Sequence, residues 1–310
     1  MLIKIITCAA IIAVISTLSC ASAGEDKDAD KRVYPHTDPE NEGRWVLNKT
    51  VSDEFEADQL NQHKWHIQGT GGRYQSNFIG RAPSQFSLDN VRLEDGKLKI
   101  QTRWEPDYEF TDKPGQDGKA YENITTAAVI SQKQFLYGYM EIKAKAADAS
   151  VTSAFWMTGN ASELDIFEHL GRPAQTHKKH LETEIWSSIH DWNLPKKENS
   201  IWTDRMQLPF RVAEDFHVYG CDWSEEGLKF FVDGKMIREV AAEDVEGWCL
   251  DGPLWIWMDS ETFPWHGLPV AEDLPADYEV EYVRIWQTRE QQQKQLEFQR
   301  QEQSKKQKKR

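Results

Sequence analysis

Short runs in which apolar and polar residues alternate most strongly limit how this chain can fold. Alternation with a period of two places successive side chains on opposite faces of a β-strand. The clearest runs are residues 90–103, 138–145, 228–238 and 278–286, the first and third of which are interrupted by a turn. In the third, Asp233-Gly234 is typical of a hairpin turn. Helical periodicity is weak elsewhere in the central part of the chain. We therefore predict an all-β fold, an antiparallel sandwich or barrel.

The beginning of the chain has the features of a secretory signal peptide. Lys4 precedes an apolar run, and Ala21-Ser22-Ala23 is a small-residue cleavage site. We predict a signal peptide over residues 1–23 and a secreted or periplasmic protein. One alternative is a membrane anchor, for which the apolar run is short. Another is lipid attachment to Cys20, although the preceding residues fit a lipoprotein signal poorly. No later apolar run is long enough to cross a membrane, so we expect no membrane span.

Composition divides the rest of the chain into three segments. Residues 24–40 are charged and poor in apolar side chains, which predicts a linker. Residues 41–288 have the composition of a folded domain and are numerous enough for one full core. Residues 289–310 form a charged tail rich in Gln and Lys, with few large apolar side chains. The tail could be a solvated helix, because Glu290 and Lys294 are one turn apart. A disordered extension is the favoured interpretation.

The charge distribution excludes some partners. The chain carries a net charge of −14, and the eight basic and three acidic residues of 289–310 contribute +5, which leaves −19 on the rest. A body this acidic argues against nucleic acid as a partner. A sulfated substrate would need positive charge placed locally. Nothing in the sequence requires an oligomer, and we expect a monomer.

Two cysteines, Cys221 and Cys249, remain after the signal peptide. A disulfide between them is compatible with export, and two free thiols are equally compatible with the sequence. Neither cysteine has His or Cys neighbours at the spacing of zinc ligands. We therefore expect no zinc site here.

Three acidic residues are interleaved with large apolar residues in Glu163-Leu-Asp-Ile-Phe-Glu168. In a strand, Glu163 and Asp165 share one face, while the alternate residues pack on the other. Glu168 is five residues from Glu163, so regular alternation would place it on the wrong face. A β-bulge at Ile166-Phe167 would bring it back. The sequence therefore predicts three carboxylates lining one cleft.

Carboxylates this close together are suited to acid–base and nucleophilic chemistry. Like charges in proximity push their pKa values apart, so that one group can hold a proton while another stays ionised. In retaining glycosidases one carboxylate attacks the anomeric carbon, and a second protonates the leaving oxygen and later activates water. A solvated strand edge is the simpler alternative. Solvated edges seldom follow a run such as Phe155-Trp-Met157, so we favour catalysis.

The motif resembles the Glu-x-Asp-x-x-Glu motif of family 16 of the glycoside hydrolases. Three other stretches are similar to that family in the same order: residues 135–144, 216–235 and 281–286. The resemblance implies a β-sandwich jelly roll of two curved antiparallel sheets with a concave cleft. It also implies endo-acting, retaining hydrolysis of a β-linked polysaccharide. Glu163 would be the nucleophile, Glu168 the general acid/base, and Asp165 would hydrogen-bond the nucleophile.

Two further stretches, residues 80–96 and 258–269, resemble the agarase- and porphyranase-like members of the family. The resemblance favours a red-algal galactan, agarose or porphyran, as the polysaccharide partner. Porphyran carries sulfate, and Arg73 and Arg81 fall where they could bind it. A surface arginine paired with a local acid explains each residue equally well, so this choice stays open.

Other candidate substrate contacts are aromatic, imidazole or acidic side chains. Aromatic faces stack on the C–H faces of sugar rings but also fill sandwich cores. The candidates are Trp65, Trp156, Trp265, His190 and Glu261. Trp156, just before the acidic strand, is the best candidate for a platform in the cleft. For His190, a structural role is as compatible with the sequence as a functional one.

The resemblance implies no cofactor for catalysis. A structural calcium ion occurs in many family members, and Glu281 is the candidate ligand, although the chain has no acidic loop of the EF-hand type. Three alternatives to a galactan hydrolase remain open: a laminarin-type β-glucan hydrolase, a transglycosylase on the same fold, and a non-catalytic carbohydrate-binding jelly roll. The three intact acids argue against the last of these.

Overall fold

The computed structural model of the protein describes residues 33–115 and 118–308, apart from the side chains of Lys306 and Lys308. The predicted signal peptide, Cys20 and most of the predicted linker lie outside the described residues. Within the described part of the chain, no helix is long and apolar enough to cross a membrane.

The described residues form two large sheets and one α-helix. Strands are numbered along the chain. The ten-stranded sheet contains β1 (Val46–Leu47), β3 (Ser84–Phe86), β4 (Val91–Glu94), β5 (Lys97–Trp104), β6 (Ile124–Thr126), β8 (Gly138–Lys145), β13 (His217–Trp223), β14 (Gly227–Val232), β15 (Lys235–Ala241) and β17 (Ala276–Gln287). The seven-stranded sheet contains β2 (Trp65–Ile67), β7 (Ala128–Ser131), β9 (Thr152–Gly159), β10 (Ser162–Leu170), β11 (Glu184–Asp191), β12 (Ser200–Gln207) and β16 (Trp255–Asp259). The helix is α1 (Arg289–Lys308).

The core lies between the two sheets, and the alternating runs place their apolar faces in it. In β17 the side chains of Tyr278, Val280, Val283 and Ile285 are fully buried, whereas Glu279 and Arg284 lie between them on the other face. The predicted turns are present: Asp95-Gly96 and Asp233-Gly234 all have positive φ, as the favoured two-residue hairpin turn requires. The two-sheet sandwich predicted from the sequence is confirmed.

One detail of the predicted sheets is wrong. The strands β3 and β6 pair in parallel, whereas we expected antiparallel pairing throughout. A parallel pair needs a long connection between its strands, and about 37 residues separate these two along the chain. No hairpin turn therefore sets their relative direction.

The tail is a helix and not the disordered extension that we favoured. Thr288 and Gln291 form a reciprocal capping box at its start: each backbone N–H donates to the other residue's side-chain oxygen, at 2.9 and 3.2 Å. Gln287 donates to Gln295 Oε1 at 2.9 Å, and Phe298 packs against the main core. The helix forms because these contacts fix its first half to the domain.

The folded domain begins earlier than the predicted boundary at residue 41. Pro35 is buried, and the backbone N–H of His36 donates to the buried Glu141 carboxylate at 2.8 Å. Residues 34–40 thus belong to the domain, which starts at Tyr34. Of the two alternatives for the cysteines, the structure has free thiols at both Cys221 and Cys249.

Candidate active site

The three acidic residues of β10 reach one face through a bulge. In the pairing with β9, Asp165 lies opposite Trp156 and Phe167 lies opposite Phe155, which leaves Ile166 as the extra residue. Ile166 and Phe167 are both buried in the core. The bulge therefore returns Glu168 to the face that carries Glu163 and Asp165, as the count of residues predicted.

These acids lie on the floor of an open cleft of about 660 Å³ over the outer face of the seven-stranded sheet. The lining residues from the middle of this sheet are Thr152, Ala154, Trp156, Thr158, Glu163, Asp165, Glu168, Trp255, Trp257 and Asp259. Loops add Phe78, Arg81, Trp192, Glu261 and Phe263, among others. The cleft therefore combines aromatic walls with five carboxylates.

Each acid has a different set of hydrogen-bond partners. The indole N–H of Trp192 donates to Glu163 Oε2 at 3.0 Å. His190 Nε2 lies 3.2 Å from Asp165 Oδ2. Among the described residues, no side chain or backbone N–H donates to the Glu168 carboxyl. The Glu163 carboxylate therefore has an N–H donor, and the Glu168 carboxyl has none among the described residues.

Proximity and burial raise the pKa values of the acids. Burial is the largest cause for each acid. For Asp165 the charge of Glu261 is the second cause, and the pKa rises to about 7. Burial and then the charge of Asp165 raise the pKa of Glu168 to about 8. Burial and then the charge of Asp165 raise the pKa of Glu163 well above its ordinary value, although His190 and the Trp192 hydrogen bond oppose this rise. A raised pKa in a cleft is typical of catalytic acids.

Most of the candidate residues come together in the cleft. Trp156 and Glu261 line it, and so does Arg81, whose Nε donates to Glu261 Oε2 at 2.7 Å. Trp265 is 49% exposed and lies beside the cleft, in contact with Phe263. The substrate-binding roles of these residues stay predictions.

Two candidates lie elsewhere. Trp65 is 1% exposed, packs in the core and donates its indole N–H to Asp53, so its prediction as a sugar contact is wrong. The strand pattern around it is too short to distinguish a core tryptophan from a platform. Arg73 is exposed and hydrogen-bonded to His66 at 3.1 Å, and it is not among the residues that line the cleft.

Two arrangements bear on metal binding. Glu281 on the ten-stranded sheet pairs with Lys143 at 2.6 Å, and the calcium site stays a prediction. Among the described residues, Glu163, Asp165 and His190 are the group whose ligand atoms lie close enough to share a metal ion, within 4.8 Å of one another. Two of the three are acids of the motif on β10, for which the sequence predicts a part in acid–base chemistry.

The sequence assigns no specific role to three tryptophans and one acid of the cleft lining: Trp192, Trp255, Trp257 and Asp259. The last three alternate along β16 with the buried Ile256 and Met258. The period of two could therefore have placed their side chains on one face, and Glu261, two residues after Asp259, follows the same period. Trp192 follows the end of β11 in a loop, where no periodic signal exists.

Comparisons with known proteins agree with this geometry. A family model described as Beta-porphyranase A-D, GH16 domain, matches residues 45–288. The chain is 30% identical to Beta-porphyranase B of Zobellia galactanivorans, with 82% of this chain and 90% of that protein covered. The crystal structure of porphyranase B from the same organism matches with a TM-score of 0.65 at 30% identity, covering 78% of this chain and 92% of the other.

A relative named for another activity is more distant. Glucan endo-1,3-beta-glucosidase A1 of Niallia circulans is 28% identical, with 81% of this chain and 39% of that protein covered. The family model, the two-sheet fold and the bulged acidic strand lead to one conclusion. The chain belongs to glycoside hydrolase family 16, among its agarase- and porphyranase-like members.

Proposed function

We propose that this protein is a secreted, endo-acting, retaining hydrolase of β-linkages in a red-algal galactan, with porphyran as its substrate. The observation that carries the proposal is the bulged strand β10, which presents Glu163, Asp165 and Glu168 together at the floor of an open cleft. An open cleft suits attack inside a long chain. The family match over residues 45–288 and the porphyranase relatives support porphyran.

The hydrogen bonds support a division of the two catalytic roles. Glu163, with its indole donor, is the ionised nucleophile that attacks the anomeric carbon. Glu168, which lacks a donor, keeps a proton and gives it to the glycosidic oxygen as the bond to the leaving sugar breaks. In the second step Glu168 takes a proton from water, the water attacks the anomeric carbon, and the Glu163 ester is released.

Asp165 and His190 support the nucleophile. Asp165 lies between the catalytic acids along the strand, and burial together with the charge of Glu261 raises the pKa of its carboxyl to about 7. His190 is opposite Glu163 on β11 and contacts Asp165. The contact between His190 and Asp165 holds both side chains beside the nucleophile.

The aromatic walls suit a sugar chain. Trp156 and Trp257 stack with ring centroids 4.6 Å apart, and Trp156 donates to Asp259 at 3.2 Å. Trp192 is 50% exposed beside Glu163. One face of its ring stacks on His190, with centroids 5.6 Å apart. The other face is available to stack on a sugar ring, while its N–H donates to the nucleophile.

Incubation with purified polysaccharides tests the substrate. We expect reducing ends to appear with porphyran and a rapid fall in its chain length, as an endo-acting enzyme produces. Agarose, carrageenan and laminarin are the comparison substrates. Release from laminarin alone would favour a β-glucan hydrolase, the activity for which the more distant relative is named. Binding without release would favour a carbohydrate-binding jelly roll.

Substitution of the two acids tests the mechanism. Glu163→Gln and Glu168→Gln should each lower kcat by on the order of 10²-fold or more, because each removes a group that acts in the transition state. Glu56→Gln, an exposed glutamate outside the cleft lining, is the matched control. Proton NMR of the first products should show the β-anomer, and an initial α-anomer would contradict retention.

A further inference from the structure

The bulge of β10 accepts a hydrogen bond from a side chain of the neighbouring strand. Ile166 and Phe167 together lie opposite Ser187 of β11, because the residues on either side of them pair with the residues on either side of it. The hydroxyl of Ser187 donates to the backbone carbonyl of Ile166 at 2.8 Å. The residue that β11 places across from the bulge therefore binds the extra residue of the bulge directly.

A cation from the other sheet supports this hydroxyl. Arg238 on β15 extends from the ten-stranded sheet, and its Nη1 donates to Ser187 Oγ at 2.9 Å. A serine hydroxyl has one proton and two lone pairs, so Ser187 can accept from Arg238 while it donates to Ile166. The positive charge polarises the hydroxyl and strengthens its bond to the carbonyl. The three groups form a chain of hydrogen bonds that joins one sheet to the bulge of the other.

An ion pair and two aromatic rings fix the Arg238 guanidinium. Its Nε lies 2.5 Å from Asp204 Oδ2, and Asp204 on β12 is directly opposite Ser187. The centroids of the Trp202 and Phe230 rings are 5.6 and 5.5 Å from the centre of the guanidinium. The donor to Ser187 is therefore held in one place.

Stability alone does not account for an arginine at this position. The Arg238 side chain is 5% exposed, and its Nη2 has no hydrogen-bond partner among the residues that the structure describes. Taking a guanidinium out of water is costly, and apolar side chains of similar size often stabilise a core better than a buried ion pair does. A contact that supports the catalytic strand gives this cation a purpose.

The bulge decides where the general acid points. Ile166 is two residues before Glu168, and without the extra residue regular alternation would turn Glu168 into the core. Within the described part of the chain, no N–H group donates to the Glu168 carboxyl, so its position depends on the backbone that carries it. A hydrogen bond to the Ile166 carbonyl fixes this backbone relative to β11.

From this arrangement we propose that Ser187 and Arg238 are positioning residues for the general acid: by holding the Ile166 carbonyl, they keep the bulge of β10 in the register that presents Glu168 to the glycosidic oxygen. The inference rests on the proposed function. Neither Ser187 nor Arg238 lines the cleft, so both act through the bulge behind it. A displacement of about 1 Å at a catalytic group can lower a rate by on the order of 10²-fold.

Two leaving groups of different basicity test this role. A leaving sugar needs a proton from the general acid, whereas 2,4-dinitrophenolate leaves without one. The substrates are a porphyran oligosaccharide and a porphyran oligosaccharide that carries 2,4-dinitrophenol in β-linkage at its reducing end. We expect Ser187→Ala to lower kcat/KM by about tenfold for the first and by less than about twofold for the second. Arg238→Met, which removes the charge but keeps a long side chain, should lower the first by about threefold.

A serine elsewhere in the domain provides the matched control. Ser52 is buried, donates to the carbonyl of Asn48 at 2.8 Å and accepts the backbone N–H of Ile285 at 3.0 Å. Ser52→Ala should leave kcat/KM unchanged for both substrates. Ser187→Thr keeps the hydroxyl and should bring kcat/KM for the oligosaccharide to within about threefold of the unmodified protein. The Tm of each variant shows that folded protein is being assayed.

Equal losses for the two substrates would overturn the inference, because a generally weakened site slows both reactions. An unchanged kcat/KM in Ser187→Ala would overturn it as well. If Ser187→Ala does not fold, Arg238→Met decides: a loss for the oligosaccharide alone supports the role, and an equal loss for both substrates contradicts it. If the unmodified protein cleaves porphyran while the losses are equal, the inference alone fails. If the unmodified protein cleaves no galactan, the proposed function fails and the inference fails with it.

Discussion

At the scale of single residues, one hydrogen bond distinguishes two acids of the same strand. Glu163 and Glu168 have the same side chain and share a strand, but only the carboxylate of Glu163 receives the Trp192 N–H. The acids themselves could be predicted because they are interleaved with Leu164, Ile166 and Phe167. Trp192 could not be assigned this contact, because its loop brings it to Glu163 from 29 residues away.

At this scale, Trp192→Phe should shift the acidic limb of the pH profile. The indole N–H stabilises the ionised form of Glu163, so its removal raises the pKa of that carboxyl. The acidic limb of kcat/KM, which reports the base or nucleophile of the free enzyme, should move up by about one pH unit. Trp104→Phe, on the other sheet, is the control. An unmoved limb with a raised KM would assign Trp192 to sugar binding only.

At the scale of elements, the strands could be predicted better than the segments that join or follow them. A period of two is visible in β5, β8, β14 and β17, and the count from Glu163 to Glu168 located the bulge. The parallel pairing of β3 and β6 depends on how a long chain segment returns to the sheet. The helix α1 depends on Phe298 and Gln295 meeting the domain surface, which no local pattern reveals.

The docked half of α1 should therefore contribute to stability. Ending the chain after Thr288 removes the capping box, the Gln295 hydrogen bonds and the Phe298 contact. Loss of one partly buried phenylalanine costs about 1–2 kcal/mol, and Tm should fall by roughly 2–8 °C. Ending the chain after Gln303 should leave Tm unchanged, because this removes residues beyond the docked half. Equal Tm values for the two truncations would show that the docking is not stabilising.

At the scale of the whole molecule, the fold holds five carboxylates together in one cleft of an already acidic body. The pKa of Glu168 is raised from 4.5 to about 8 and that of Asp165 from 3.8 to about 7. The net charge of −19 outside the tail could be counted from the sequence. The gathering of five acids in one cleft could not be predicted, because Asp259 and Glu261 join the acids of β10 only when β16 lies near β10 in the sheet.

This concentration of charge makes a prediction about stability and pH. Below pH 4.5 Glu168 is protonated in both the folded and the unfolded states. Between pH 4.5 and about 8 the unfolded chain loses this proton while the folded protein keeps it, so Glu168 lowers the free energy of unfolding as the pH rises through this window.

Glutamine at position 168 is neutral in both states and removes this loss of stability. Glu168→Gln should thus match the unmodified protein in Tm at pH 4 and exceed it increasingly toward pH 8. Calorimetric scans at pH 4, 6 and 8, with Glu56→Gln as the control, measure the difference. A Tm difference that is the same at all three values would show that the gain does not come from the buried charge.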